Sequence, residues 1–407
     1  MKPLGPIPAG YAAVDGELAV AGRKFSEIED GAGTPLFVYS RTLIEQRMAA
    51  LRDAMPPLLR IHYAVKANPY QPILELMRGL ADGFDIASGG ELEMALAAGQ
   101  TAGQISFAGP GKRDAELEAA IRNGVTLNLE SAAEARRALT IGERIGATPR
   151  LAIRVNPDFE LRGSGMKMGG GAKPFGVDQE RVPALAREII AAGAEWRGLH
   201  IFAGSQALDA EAIAETQGKV LDLAAQLIQA VGKPLPHLNM GGGFGIPYFD
   251  GDKPLDTGFV GERLAERFAN LPPELAETEF AIELGRYLVG EAGVYLARIV
   301  DRKESHGQVF LVTDGGLHHQ LAASGNFGTV VRRNYPAAIA TRFGAPAEEQ
   351  ASIVGCLCTP LDRLADQAML PRSEVGDLVA IFCAGAYGAS ASPSAFLGQG
   401  PAREVLI

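Results

Sequence analysis

Cysteine is scarce in this sequence: Cys356, Cys358 and Cys383 are the 3 present in 407 residues. So few cysteines exclude a disulfide framework. Cys356 and Cys358 stand two apart in a strand-like run and would share a face. No further ligands lie near them, so no metal site is expected. Basic residues are in deficit, 38 Lys and Arg against 48 Asp and Glu, for a formal net charge of −10. That balance argues against nucleic acid as the main partner, because phosphate neutralisation needs basic patches. Long apolar runs are also missing, and nothing approaches the ~18 residues of a membrane span. The first residues, MKPLGPIPAGYAAVDGELAV, carry Pro and acids where a signal peptide needs an apolar stretch. A cytoplasmic location is therefore expected. What remains is 47% hydrophobic and 21% charged, an ordinary composition for a globular enzyme. The length allows two domains with substantial cores.

The chain has a rhythm. Strand-like runs occur at 59–66, 83–88, 104–109, 125–130, 150–157, 197–205, 237–243 and 280–286. Amphipathic helical patterns fill the gaps, at 71–80, 89–98, 114–123, 131–145, 179–193, 209–231 and 259–270. Alternation of this kind predicts an α/β fold, a closed (β/α)8 barrel of the TIM type; an open doubly wound sheet is the rival. After Arg286 the rhythm breaks into strand-like runs at 293–300, 308–313, 351–357 and 375–383, which predicts a C-terminal all-β domain. Residues 1–35 are rich in Gly and Pro and form no domain of their own; LFVYS at 36–40 reads as a strand, with a helix from about 42 to 54. The glycine-rich stretch 158–176 has no period, and reads either as a surface loop or as a lid.

In such a barrel the chemistry lies at the C-terminal strand ends. Polar residues recur there. Lys66 ends the first strand, Asp85 and Glu91 flank the second, Glu130 ends the fourth and Arg154 lies near the end of the fifth. His200 and Ser205 belong to the sixth, Gly241–Gly243 to the seventh, and Glu283 and Arg286 to the eighth. Lys66 alone could be a solvated cation or a Schiff-base amine. Glycines after the seventh strand allow backbone N–H groups to approach a phosphate, and Arg286 could add a bidentate contact. A reactive lysine and a phosphate site together suggest pyridoxal 5'-phosphate, which joins lysine as an imine.

The motifs YAVKAN (63–68), FDIASGGE (84–91), RVNP (154–157), HIFAGSQ (200–206), NMGGGFG (239–245), ELGRY (283–287), CTPLD (358–362) and GAYG (385–388) resemble those of the fold-type III pyridoxal-phosphate decarboxylases, the group of diaminopimelate and ornithine decarboxylases. Within it, 163–176 and CTPLD look closest to the branch associated with exosortase and exopolysaccharide loci. They are also similar to decarboxylases of carrier-protein-bound amino acids. The resemblance implies an alanine racemase-like barrel over 36–288. Residues 1–35 and 289–407 would form a β-domain that completes the active site of a homodimer. It implies decarboxylation at Cα of an L-amino acid, free or tethered to a carrier, through a quinonoid intermediate.

By the same resemblance Lys66 would carry the cofactor, His200 would stack on its ring, and Glu283 would pair with the ring nitrogen. Glu283 favours a decarboxylase over a racemase, since an arginine in that place weakens the electron sink. Ser205, Gly242, Gly243, Gly285, Arg286 and Tyr387 would hold the phosphate end. Asp85, Glu91 and Arg154 would orient lysine and ring, or form structural salt bridges. Cys358, from the other subunit, would protonate Cα. The substrate would meet Arg286, Tyr335, Cys358, Thr359 and Tyr387.

Departures from the family pattern bear on the substrate. Diaminopimelate and ornithine decarboxylases carry an acid after the cysteine, and here Thr359 stands there, unable to pair with an ammonium group. The arginine expected four residues before Tyr335 is replaced by Val331, with Arg332 and Arg333 nearby. HIGSQ is lengthened to HIFAGSQ, and EPGR has become ELGR. The alternatives are a diaminopimelate decarboxylase of lysine synthesis and a non-catalytic cofactor-binding regulatory homologue.

Overall fold

Eight parallel strands, β1 (Leu59–Ala64), β2 (Gly83–Ile86), β3 (Ile105–Phe107), β4 (Thr126–Leu129), β5 (Arg150–Asn156), β6 (Glu195–Ile201), β7 (His237–Gly242) and β8 (Glu279–Leu284), form the first of two units in a computed structural model that describes residues 1–325 and 333–407. β8 pairs with β1 and β4 pairs with β5, so the sheet closes into a barrel. A closed parallel sheet buries both faces of its strands, and the outward faces here are apolar, as with Ile61, Phe84, Leu127 and Ile153. Helices follow the strands with ordinary stop and start chemistry. Ser88, Ser131 and Asp209 accept the N–H three residues on at helix starts, and Gly124, Gly146 and Gly232 close helix ends in the left-handed conformation. Among the described residues no helix is long and apolar enough to cross a membrane.

This unit comprises Met48–Gly245 and Leu255–Gly285. The other comprises Met1–Arg47, Ile246–Pro254 and Arg286–Ile407. Its spine is the long strand Gly293–Ser305, which pairs with Gln308–Thr313, Leu378–Ile381 and Leu36–Tyr39. Leu36–Tyr39 thus forms the expected strand, but in this sheet and not in the barrel, with Arg403–Leu406 on its other side. The sequence reading missed Arg363–Leu370, Ala337–Ile339 and a small sheet over Tyr11–Lys24. These runs are short or mix polar and apolar residues without clean alternation.

Two barrel strands end earlier than their apolar runs. β1 stops at Ala64, because Val65–Ala67 closes a single 3₁₀ turn when Asn68 N–H donates to the Val65 carbonyl. β6 stops at Ile201, and the chain leaves the barrel wall so that Gly204–Ser205 can pair elsewhere.

A buried lysine shows what the barrel demands of a charge. Lys112 Nζ donates to Glu134 Oε1 at 2.6 Å, the Gly109 carbonyl at 2.7 Å and the Asn128 carbonyl at 2.9 Å. Burial lowers its ammonium pKa despite the Glu134 partner. All three donors are used, so its role is structural. Lys112→Met should strand Glu134 in the interior and cost about 3–5 kcal/mol, read as a fall in the urea midpoint at unchanged slope.

Candidate active site

Lys66 sits on the turn that ends β1. Its neighbours Val65 and Ala67 are buried while Lys66 itself is exposed. The turn is pinned by Tyr63 Oη, which donates to the Asn68 carbonyl at 2.8 Å, and by Asn68 Oδ1, which accepts from Tyr70 N–H at 3.0 Å. Lys66 Nζ lies 5.5 Å from the ring centre of Phe202, one of the two residues that lengthen HIFAGSQ.

Glu283 on β8 is buried. Its Oε2 accepts from His200 Nε2 on β6 at 2.8 Å and from Asn239 Nδ2 on β7 at 3.2 Å. Burial pushes its carboxyl up, but the charges of His200, Lys66 and Arg154 outweigh this and hold it well below the usual range. The second ring nitrogen of His200, Nδ1, is buried with no hydrogen-bond partner among the described residues. Asp85 on β2 accepts from His62 Nδ1 at 3.1 Å. Arg154 on β5 donates to Glu130 Oε1 at 2.9 Å and lies 5.0 Å from the Phe175 ring. Burial raises the Glu130 carboxyl, yet Arg154 and the N–H groups of Gly176 and Gly109 bring it below its ordinary value. Glu91 stands apart from these groups. It accepts from Ala87 N–H at 2.6 Å, and burial raises its carboxyl against the pull of that N–H and of Lys66.

The glycine run at the end of β7 is a bulge. Asn239 faces Ala281, but Gly242 faces Glu283, so β7 carries one extra residue there. Gly241 and Gly243 take φ of +69° and +89° to absorb it. A Cβ on Gly241 would lie 2.6 Å from the Ile201 carbonyl, and one on Gly243 would overlap the Gly204 carbonyl. The bulge is held by Asn239 Oδ1, which accepts from Gly241 N–H at 2.9 Å.

Ser205 lies in the pair Gly204–Ser205, which forms an antiparallel ladder with Met166–Lys167. Met168 N–H donates to the Ala203 carbonyl and Gly165 N–H to the Gln206 carbonyl, both at 3.3 Å. The glycine-rich stretch 158–176 is therefore bonded to the lengthened turn of HIFAGSQ. Its end is also tied to the barrel, by Gly176 N–H on Glu130 Oε2 at 2.6 Å.

The other unit gathers a second group. Arg286, which follows Gly285 at the close of β8, donates to Tyr248 Oη at 2.6 Å and lies 4.7 Å from the Tyr387 ring centre. Tyr335 packs on Tyr248 at 4.7 Å between ring centres. Burial pushes the Tyr248 phenol up to about 12, so it stays neutral beside the guanidinium. Arg286 Nε is buried without a partner among the described residues. Tyr387 has φ of +56°, a strained value for a side chain of that size. Val331 and Arg332 lie outside the described residues; Arg333 stacks on Phe249 at 3.8 Å.

Cys358 and Thr359 occupy a different loop of that unit. Cys358 is exposed, and Thr359 Oγ1 accepts from Leu361 N–H at 3.3 Å. Asp362 holds the loop: Oδ1 accepts from Leu317 N–H at 2.7 Å and Oδ2 from Leu357 N–H at 2.9 Å. Asp362, Asn239, Tyr248 and His62 carried no role in the sequence reading. Two signals were available, since Asp362 closes CTPLD and Asn239 opens NMGGGFG. Tyr248 and His62 sit outside any signature.

The model of the pyridoxal binding domain of pyridoxal-dependent decarboxylases matches residues 41–290. The L-glutamyl-[BtrI acyl-carrier protein] decarboxylase of Niallia circulans is 35% identical, over 92% of this chain and 88% of its own. The diaminopimelate decarboxylase of Archaeoglobus fulgidus is 32% identical, over 98% of this chain and 93% of its own. The crystal structure of the diaminopimelate decarboxylase from M. jannaschii superposes with a TM-score of 0.88 at 26% identity, covering 98% of this chain and 92% of that one. With barrel, β-sheet unit and sequence in agreement over nearly its whole length, the chain belongs to the pyridoxal-phosphate-dependent amino-acid decarboxylases of fold type III.

Proposed function

We propose that the protein decarboxylates, at Cα, an L-amino acid whose far end carries no free ammonium group, such as one tethered to a carrier protein. The observation that carries this reading is the Cys358 loop. Thr359 supplies only a neutral hydroxyl there. The one carboxylate of the motif, Asp362, spends both oxygens on Leu317 and Leu357 N–H groups and is buried. No acid on that turn is left to meet a distal ammonium. The Niallia circulans relative, by its name, acts on a glutamyl carrier protein, which supports the tethered form.

The residues present fit pyridoxal phosphate. The bulge at Gly241 and Gly243 is backbone that only glycine can form, since a Cβ on either would clash with a neighbouring carbonyl, and it leaves N–H groups without side chains over them; Arg286 Nε is a buried donor without an acceptor among the described residues. We assign Lys66 as the covalent anchor, and Gly242, Gly243, Ser205, Gly285, Arg286 and Tyr387 to the phosphate end. His200 would lie against the ring and Glu283 would meet its nitrogen. When bound, the cofactor supplies an electron sink for the pair that departing CO2 leaves at Cα. The protein's own groups do the rest. Glu283, kept ionised by the charges and donor around it, would hold a proton on the ring nitrogen. Arg154 is fixed by Glu130, Asp85 by His62, and Glu91 by the Ala87 N–H, so that the anchor and ring keep their places. Cys358 holds the proton that Cα receives, with Tyr335 and Tyr387 beside the substrate. We further propose a homodimer in which Cys358 of each protomer, within the segment 289–407, serves the barrel of its partner.

Borohydride reduction of the yellow holoenzyme should fix the cofactor to Lys66, located by peptide mass; a Lys66→Ala protein that still becomes labelled removes the assignment. Mixing inactive Lys66→Ala and Cys358→Ala proteins should restore up to about a quarter of wild-type activity, the share expected if random pairing rebuilds one intact site in each mixed dimer. No recovery would mean that each protomer works alone. CO2 release should be fast with glutamyl or other aminoacyl carrier thioesters and slow with meso-diaminopimelate, ornithine and lysine. Thr359→Glu should raise kcat/KM for diaminopimelate by about tenfold or more, the worth of one charge-assisted contact. Rapid turnover of diaminopimelate by the unaltered enzyme would overturn the substrate reading.

A further inference from the structure

One polar chain runs through the barrel interior, and only its upper end has a role so far. Glu283 Oε2 meets His200 Nε2 at 2.8 Å and Asn239 Nδ2 at 3.2 Å. The same Asn239 Nδ2 reaches Asp85 Oδ1 at 3.4 Å, and Asp85 Oδ2 meets His62 Nδ1 at 3.1 Å. None of the five residues is more than 8% exposed. Proton positions follow from chemistry. Asn239 Oδ1 already accepts from Gly241 N–H, so its NH2 must face the two carboxylates. A carboxylate only accepts, so His62 donates from Nδ1 and His200 from Nε2.

Asp85 and Glu283 are thus two buried acids that share one amide. Each needs a further donor or charge on its outer side. Glu283 has the His200 donor there, and Asp85 has His62. His62 has been given room: a Cβ on Gly83 would lie 2.9 Å from its Nε2. Its side of the chain borders a cavity of about 100 Å3 at the N-terminal end of the strands, lined also by His237, Ser106, Asn128 and Arg197. Half-exposed Arg60 and Glu279 line the same cavity, so it reaches the surface. The groups around His62 are Arg60 on its own strand, Asp82 and Asp85 by β2, Arg197 on β6, His237 on β7, and Glu279 and Glu283 on β8. Burial lowers the His62 imidazole pKa, but Asp85, Asp82 and Glu283 raise it further, to a net value above the ordinary one. Burial and the neighbouring His62 hold His237 down at about 3, so it stays neutral.

We propose that His62 is a positioning residue for Glu283: it keeps Asp85 an anchored anion, Asp85 fixes Asn239, and Asn239 fixes both the Glu283 carboxylate and the Gly241 bulge. This rests on the assignment of Glu283 to the ring nitrogen. The contribution is present while His62 is protonated and is lost as pH rises through its raised value. A residue at the opposite mouth of the barrel from Lys66 would then tune the cofactor without touching it.

The test compares wild-type holoenzyme with His62→Leu, His62→Gln and Glu283→Gln, following bound-cofactor absorbance against pH, cofactor affinity and steady-state kinetics. His62→Leu should move the midpoint of the absorbance change by about one pH unit and lower kcat about tenfold with KM nearly constant. His62→Gln, whose amide still donates to Asp85, should recover most of both. In cofactor-free protein the His62 imidazole, followed by NMR, should titrate above its ordinary value and return to it in Asp85→Asn. If Glu283→Gln alters the absorbance curve and His62→Leu does not, the inference fails and the Glu283 assignment stands. If Glu283→Gln leaves the curve unchanged, both fail. A His62 imidazole that titrates at its ordinary value in the wild-type protein overturns the inference even where a variant does not fold.

Discussion

The hydrogen bonds of the Glu283 carboxylate are the constraint from which much of the barrel follows. A carboxylate in a dry interior costs several kcal/mol unless charge and donors meet it. Here His200 and Asn239 meet one oxygen from the two preceding strands. That requirement fixes residues on three strands at once. It also bears on the bulge in β7, since the Asn239 side chain that reaches Glu283 also binds Gly241 N–H. The irregular backbone that suits a phosphate and the carboxylate that suits a ring nitrogen are therefore held by one amide.

The lengthened HIFAGSQ turn and the glycine-rich stretch 158–176 are a single structural feature. The ladder between Gly204–Ser205 and Met166–Lys167 joins them. The extra Phe202 and Ala203 carry the chain out of β6 far enough to make that ladder, and Ala203 offers its carbonyl to both Leu161 and Met168. Read separately, the first is an odd spacing and the second a choice between surface loop and lid. Paired, they place Phe202 against Lys66 and Phe175 against Arg154. The stretch is bonded at several points along its length.

The barrel was legible because parallel strands buried on both faces read as apolar runs, and because the helices between them keep their period. The strand Leu36–Tyr39 was equally legible as a strand, but its partners Gly293–Leu296 and Arg403–Leu406 lie hundreds of residues away. Periodicity carries no information on partners at that distance. Arg363–Leu370 was invisible because RLADQAML interrupts its apolar residues with Asp366 and Gln367, and Gln367 takes a positive φ. In the site, residue types tied to a chemical role could be picked out, as with Lys66, His200, Glu283 and Arg286. Asp85, Glu91 and Arg154 were picked out as orienting residues, whereas Asn239 and Asp362 were not. Asn239 carries no reactive group, the Asp362 carboxylate is taken up by backbone N–H groups, and only the pattern of atoms they bridge gives them meaning.

Lys66 and Lys112 make the same point from opposite directions. Both lysines belong to the barrel unit, and both are amines among apolar neighbours. Lys112 meets three acceptors within 2.9 Å, so its ammonium is fully used where it stands. Lys66 is aimed by a pinned 3₁₀ turn and stays exposed between buried neighbours. Asp362 repeats the logic among the acids. It stands in the CTPLD motif beside the neutral Thr359, yet two backbone N–H groups consume it and burial raises its carboxyl. A carboxylate near a site is available to a ligand only when the fold has not already satisfied it. Asp362 fails that condition, which leaves the neutral Thr359 to set the chemistry of the turn.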